Sequence, residues 1–284
     1  MLDSTPRAIE GPEIEAILGQ GVTIPPQPKA LMEIEHLAKQ PRVNVKAIAN
    51  VIATDPALLA SVFKVVNSPA MGLSRRIDSA ETAITLLGLT QVTNLVKSIA
   101  IRQALSGNSL AYEKFWERSG DIAQIAAAIA RKQFSICHIP ADQAYMAGLF
   151  HDCGVPILMQ RFADYCKELG QLNGGGWPDL AQQDRQHDTD HCVVGYMVGK
   201  HWRLPDLILQ GIRHHHETPT LDHPAKTVVA MLQAATHIYN VMMKTPDDAE
   251  WAICRQHAIE ELGVSTDGLR EFEEDIIENY SAAR

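Results

Sequence analysis

Gly148-Leu149-Phe150-His151-Asp152-Cys153-Gly154 joins an apolar helical run to an adjacent His-Asp pair and a glycine stop. An imidazole supplies a neutral nitrogen and a carboxylate a hard anionic oxygen, so the pair suits a transition-metal site. Neighbouring residues on a helix point about 100° apart, so one ion can take both only at a helix end or inside a bundle. A second reading stands beside it: a helix C-terminus with a capping glycine, in which neither residue is a ligand. The flanking sequence has to say whether His151 and Asp152 have company.

Upstream, residues 1–19 read as an arm carrying a short helix, Glu13 to Leu18. Ile24-Pro25-Pro26-Gln27-Pro28 is extended, because proline disfavours helix before it. From Lys29 the period becomes helical, with Leu31, Ile34 and Leu37-Ala38 on one face. Asn44 is the predicted cap of a second helix, with Val45, Ile48 and Ile52 inward, and Asp55-Pro56 opens a third. The stripe of that third helix is Leu58, Leu59, Val62, Phe63 and Val66. Asp78-Ser79-Ala80-Glu81 resembles a capping box for a helix ending at Gly88. Thr90 is the predicted cap of the next, whose Val92, Leu95, Val96, Ile99 and Ala100 keep an i, i+3, i+4, i+7, i+8 spacing.

Ser106-Gly107-Asn108-Ser109 reads as a linker. The helix after it turns Phe115, Ile122, Ile125, Ala126 and Ile129 inward, with Arg118 in the same stripe. A buried arginine calls for a carboxylate or an anion. Beyond the His-Asp pair a helix is expected from Val155 to about Leu169, then a loop at Asn173-Gly174-Gly175-Gly176. Thr189 is the predicted cap of a helix bearing His191, Val194 and Val198, on which Gly195 and Gly199 suit close packing. Leu207, Ile208 and Ile212 lead into His214-His215-His216-Glu217. Val228, Met231, Leu232, Ala235 and Ile238 make a further stripe. The tail from Asp247 is acidic and amphipathic, anchored by Ile259, Leu262, Phe272 and Ile276. No stretch alternates with a period of two, so the fold class is all-α.

Composition narrows the function. A net charge of −9 with scattered Lys and Arg argues against nucleic acid as a partner. No apolar run approaches a membrane span, and Met1-Leu2-Asp3-Ser4-Thr5 lacks the regions of a signal peptide. Five cysteines without a C-x-x-C pair fit a reducing cytoplasm and read as small core residues.

Residues able to bind metal therefore lie at intervals on separate helices: His151-Asp152, His191, and His214 to His216. Convergence of such groups inside a bundle is one way to build a metal site. Each has a plainer reading. His191 beside Asp190 also suits a helix start, and a histidine run at a helix end is favourable to the dipole.

Residues 22–217 resemble the HDOD family, a regulatory relative of the HD-domain phosphohydrolases. The resemblance runs through Ile24-Pro25-Pro26-Gln27-Pro28, Ile52-Ala53-Thr54-Asp55-Pro56-Ala57-Leu58, Val65-Val66-Asn67-Ser68-Pro69 and Ile77-Asp78-Ser79-Ala80 with Ala83-Ile84-Thr85-Leu86-Leu87-Gly88. It continues in Phe115-Trp116-Glu117-Arg118-Ser119, Ala147 to Gly154, His191-Cys192-Val193-Val194-Gly195, Trp202-Arg203-Leu204-Pro205 and His215-His216-Glu217.

The resemblance implies two helical lobes, an N-terminal subdomain (20–108) packed on an HD-like bundle (109–245), flanked by an arm (1–19) and a helical tail (246–284). It also implies a role in bacterial signal transduction, usually without shown catalysis, in which the chain binds a partner protein or a small nucleotide-like anion in the cleft of the former active site. The enzymatic relatives place a first histidine one helix before the His-Asp pair and a last aspartate on a late helix. Here those positions fall on Arg118 and Thr236.

Two losses, with a fixed cation in the site, argue against the metal-dependent hydrolysis of those relatives. His151, Asp152, His191, His215 and His216 keep a partial site for a divalent ion such as Fe, Mn, Zn or Ni. Two arrangements stay open: Arg118 pairs with Asp152 in place of a metal, or Arg118 binds a substrate phosphate beside one. In the second, the chain is a metal-dependent phosphohydrolase acting on a nucleotide or cyclic dinucleotide, with Asp152 in the catalytic centre. A third reading makes every histidine an ordinary packing residue and the acidic tail a docking helix.

Overall fold

The computed structural model describes residues 21–68, 71–73, 75–107, 109–171, 177–217, 221–245 and 249–281. Among them the regular elements are all helical, as the hydrophobic periods require. The helix expected over Glu13–Leu18, the loop at 173–176 and the start of the tail at Asp247 lie outside the described residues.

The N-terminal lobe is built from α1 (Lys29–Ala38), α2 (Val45–Ala53), α3 (Pro56–Val66), α4 (Ala80–Leu87) and α5 (Leu89–Ala104). Its helix starts follow local chemistry. The Asn44 side chain accepts from the Ala47 amide at 3.0 Å, and Asp55 accepts from Ala57 and Leu58 with Pro56 as first helical residue. Ser79 caps α4 through the Thr82 amide, but the third helical residue is Thr82. The reciprocal arm of a capping box is therefore not supplied by Glu81; the Thr82 hydroxyl instead accepts from the Ser79 hydroxyl at 2.6 Å. Thr90 is not a cap: α5 begins at Leu89, directly after Gly88, whose φ of 90° turns the chain between the two helices. Ile34, Ile48, Ile52, Val62, Val96 and Ile101 close the core of this lobe.

The second lobe is organised around α6 (Leu110–Lys132), whose Phe115, Ile122, Ile125, Ala126 and Ile129 are fully buried. The short α7 (Phe134–Cys137) follows, and then α8 (Ala141–Phe150) packs along α6 over much of its length. Gly148 makes that approach possible, because a Cβ there would sit 2.6 Å from the Ala123 Cα. α5 rests against α8 and joins the lobes. A buried anchor reinforces the joint: the Trp202 indole, fully buried, donates to the Pro25 carbonyl at 3.1 Å.

Past the His-Asp pair, α9 (Val155–Arg161) is shorter than its apolar pattern predicts. Phe162 turns extended and Cys166 takes a left-handed conformation, so only a 3-10 turn (Lys167–Gly170) follows. Then come α10 (Leu180–His187), α11 (His191–His201), α12 (Asp206–His214) and α13 (Ala225–Met243). α11 is capped by Asp190, which accepts from the Val193 amide, and not by Thr189. Gly195 and Gly199 do sit at a close helix contact, against Ile212 and Leu209 of α12.

The tail forms α14 (Ala249–Glu261) and α15 (Leu269–Ser281). Its anchors Ile259, Leu262, Phe272 and Ile276 are buried against α13 and α6, and Tyr280 donates to Asp121 of α6 at 2.6 Å. Among the described residues no single helix is long and apolar enough to cross a membrane.

Candidate metal and anion site

His151 follows α8 as its C-terminal cap and Asp152 lies in the turn into α9, so the pair sits at a helix end. Gly154 has helical φ and is not a left-handed cap. It is small because a Cβ there would meet the His191 backbone and, at 2.7 Å, the Gly195 amide. That contact brings the start of α11 onto the His-Asp turn.

Asp152 is the hub, and its two oxygens face different neighbours. Oδ2 meets Arg118 Nη1 at 3.0 Å and His151 Nε2 at 3.0 Å. Oδ1 meets His215 Nε2 at 3.1 Å and His191 Nε2 at 3.5 Å. His216 joins through His191, their Nε2 atoms 3.0 Å apart. His214 does not join: its Nδ1 pairs with Glu217 at 3.0 Å, on the other side of the segment. Gln233 of α13 donates to the carbonyls of His215 and Glu217 and fixes the run.

The four ring orientations follow one rule. His151 Nδ1 donates to the Gly148 carbonyl (2.7 Å) and His215 Nδ1 to the Ile212 carbonyl (2.9 Å). His191 Nδ1 pairs with Asp184 (2.6 Å) and His216 Nδ1 with Glu250 (2.8 Å). Each imidazole spends Nδ1–H on an oxygen and turns Nε2 toward the others. A bare Nε2 facing a carboxylate or a second bare Nε2 at 3.0–3.5 Å is repulsive unless a proton or a cation lies between. Oxygen acceptors behind the rings are what a histidine metal site requires.

The charges agree. Burial works against the Asp152 carboxylate, yet His151, His191 and His215 hold it well below the usual carboxylate range. Burial also opposes charge on His191, but Cys192 and the Asp152 and Asp184 carboxylates hold it well above 6.5. His215 goes the other way, driven well below 6.5 by burial and by His216.

Arg118 is nearly sealed, its side chain 7% exposed, and lies 4.1 Å below the Trp177 ring and 5.7 Å from Tyr239. Burial pulls the guanidinium pKa down from its usual value while Asp152 pulls it back. Its Nε is buried with no hydrogen-bond partner among the described residues.

His191, Cys192, His215 and His216 offer ligand atoms within 4.8 Å of one another. The donor set thus fits a borderline-soft divalent ion. Sequence reading had set Cys192 aside as a core residue, and its Sγ is 3.5 Å from His191 Nε2. Asp184 lies on α10 and His191 on α11, with left-handed Asp188 between them, so no helical period pointed to it. Trp177, Tyr239 and Glu250 come from distant segments and carried no signal. Thr236, the position of the relatives' last aspartate, is half-buried on α13 and makes none of these contacts.

A helical bundle with a His-Asp pair at its centre, ringed by histidines from neighbouring helices, defines an HD-like helical protein. The chain belongs to the HDOD family, whose HDOD domain matches residues 24–218. A protein from Shewanella amazonensis SB2B, described as a "putative metal-dependent phosphohydrolase", shares 19% identity at a TM-score of 0.68, covering 94% of this chain and 96% of its own. An HDOD domain protein of unknown function from Geobacter sulfurreducens shares 25% identity at a TM-score of 0.61, covering 95% and 96%. An uncharacterized protein of Treponema pallidum (strain Nichols) is 24% identical over 213 residues, 75% of this chain. The match takes in only 41% of that relative's length.

Proposed function

We propose that this chain is a regulatory HDOD module of bacterial signal transduction. It binds a partner protein or a small nucleotide-like anion and holds at most one divalent ion, without hydrolysing a phosphoester. The observation that carries this reading is the Arg118–Asp152 ion pair, 3.0 Å long, on the side of Asp152 shared with His151. A dication about 4 Å from a fixed guanidinium is repelled by roughly 8 kcal/mol at an effective dielectric near 20. His151 and Asp152 Oδ2 are thereby withdrawn from a second ion.

On the opposite side, His191, His215 and His216 would hold a single ion, closed by Cys192 or Asp152 Oδ1. Such an ion supplies Lewis acidity when bound. Asp184 orients the His191 ring and Glu250 the His216 ring, and Gln233 fixes the His215–Glu217 backbone. The Arg118 Nε, without a hydrogen-bond partner among the described residues, and the Trp177 ring 4.1 Å from the same guanidinium support recognition of a small anion.

The four converging Nε2 atoms favour one other reading, a metal-dependent phosphohydrolase in which Arg118 holds the substrate phosphate. One experiment separates the two. The full chain, purified without added metal, is analysed for bound metal and then incubated with cyclic dinucleotides and Mn²⁺. We expect no more than one ion per chain and no metal-dependent turnover. Two ions per chain with metal-dependent hydrolysis would establish the enzyme reading instead.

A further inference from the structure

Glu250 belongs to α14, beyond the segment matched by the HDOD family, yet it touches the candidate site. Its Oε1 accepts from His216 Nδ1 at 2.8 Å, and His216 Nε2 is 3.0 Å from His191 Nε2. Of the four converging histidines, His151 and His215 are oriented by carbonyls of their own preceding turn, and His191 by Asp184 seven residues earlier. His216 alone among them is oriented by a residue 34 positions away, on a separate helix.

The helix that carries Glu250 is held by its own packing. Trp251 stacks on His237 of α13, ring centroids 4.4 Å apart and 11° from parallel, and Cys254, Ala258 and Ile259 are buried. Glu250 is thus delivered by a helix docked mainly through its apolar face, with the contact to His216 in its first turn. Glu250 and His216 are each about two-fifths exposed, so the contact lies at the rim and can open without exposing the core.

We propose that Glu250 is a positioning residue that couples the C-terminal helices to cation binding at His191, His215 and His216. With Glu250 in place, His216 presents its Nε2 lone pair to the centre. With α14 shifted, the ring is free to turn away and the centre loses one ligand. Linkage then works in both directions: an ion in the centre tightens the first turns of α14, and a partner that displaces α14 releases the ion. This rests on the reading that the cluster holds a divalent ion.

The test uses the full chain and Zn²⁺, with affinity measured by competition against a chelator. Glu250→Ala is expected to weaken Zn²⁺ about tenfold, the low end for loss of an outer carboxylate because the pair is partly solvated. Glu250→Gln keeps an acceptor oxygen and should recover most of the loss. The thermal midpoint of the metal-free Glu250→Ala variant should match the parent, which excludes general unfolding as the cause. Zn²⁺ should also slow amide hydrogen exchange in the first two turns of α14 in the parent and not in Glu250→Ala. Equal Zn²⁺ affinity in the parent and both variants would overturn the coupling while leaving the metal site standing. Failure of the parent itself to bind Zn²⁺ would remove the metal reading and the coupling with it.

Discussion

Arg118 and Asp152 form a buried ion pair between the middle of α6 and the turn after α8, 3.0 Å apart with side chains 7% and 2% exposed. Removing one member of such a pair leaves an uncompensated charge, and breaking one typically destabilises by about 3–5 kcal/mol. Arg118→Ala should sit at the lower end, about 3 kcal/mol, because His151, His191 and His215 still face the carboxylate. Urea unfolding of the chelator-treated protein measures it. A loss below about 1 kcal/mol would mean that the histidines alone carry the Asp152 charge.

Arg118→His has a different consequence. It replaces a fixed cation with a neutral nitrogen at the position that the resemblance assigns to a ligand. His151 and Asp152 Oδ2 then become available, so metal content after reconstitution with Mn²⁺ should rise by up to one further ion per chain. Unchanged stoichiometry by elemental analysis would show that something other than the guanidinium limits the site.

The helices were legible because their apolar stripes are nearly continuous: Val92, Leu95, Val96, Ile99 and Ala100 are all buried, as their spacing requires. Boundaries were less so. Thr90 and Thr189 are good caps by type, but Gly88 and Asp190 hold those positions. The run after Val155 breaks at Phe162, where no proline or glycine announces it. At the site, His151, Asp152, His191, His215 and His216 were all named from sequence, and the Arg118–Asp152 contact was one of two open arrangements. Cys192 and Glu250 escaped because a thiol beside a histidine has the composition of core, and because a contact 34 residues long leaves no local period.

Two glycines on facing helices should respond oppositely to alanine. At Gly148 the new Cβ would lie 2.6 Å from the Ala123 Cα and 2.9 Å from its amide nitrogen, backbone that cannot move without separating α6 from α8. Gly148→Ala should therefore destabilise by at least about 1–3 kcal/mol. Gly120, within α6, has nothing within 4 Å of its Cβ position. Gly120→Ala should stabilise by about 0.5–1 kcal/mol through helix propensity. Thermal unfolding of the pair checks both signs, and a stabilised Gly148→Ala would refute the close packing.

All five cysteines are buried free thiols. Burial pushes Cys137 up to about 11 and Cys166 up to about 12, so neither presents thiolate near neutrality. Iodoacetamide at pH 8 should leave the folded chain unmodified by mass spectrometry and label all five thiols in guanidinium. Rapid labelling of Cys137 or Cys166 in the native protein would contradict their burial.

Glu261, the last residue of α14, offers a pH-dependent test of how that helix is held. Its Oε2 lies 2.9 Å from Lys226 Nζ, and its other oxygen accepts from the Thr227 hydroxyl, both on α13. Burial raises its proton affinity, but Thr227 and Lys226 outweigh it and hold the carboxyl below 4.5 in the folded chain. The folded value is thus lower than the unfolded one, so the unfolded chain takes up a proton first as pH falls. The stabilisation is complete above 4.5 and disappears as pH drops through the folded value. Glu261→Gln keeps an acceptor for Thr227 but loses the charge. The difference in unfolding free energy between parent and Glu261→Gln should be constant from pH 6 to 8 and shrink toward zero below about pH 4. Parallel stability curves through pH 3 would show that α14 is held by its apolar face alone and that this carboxylate adds nothing.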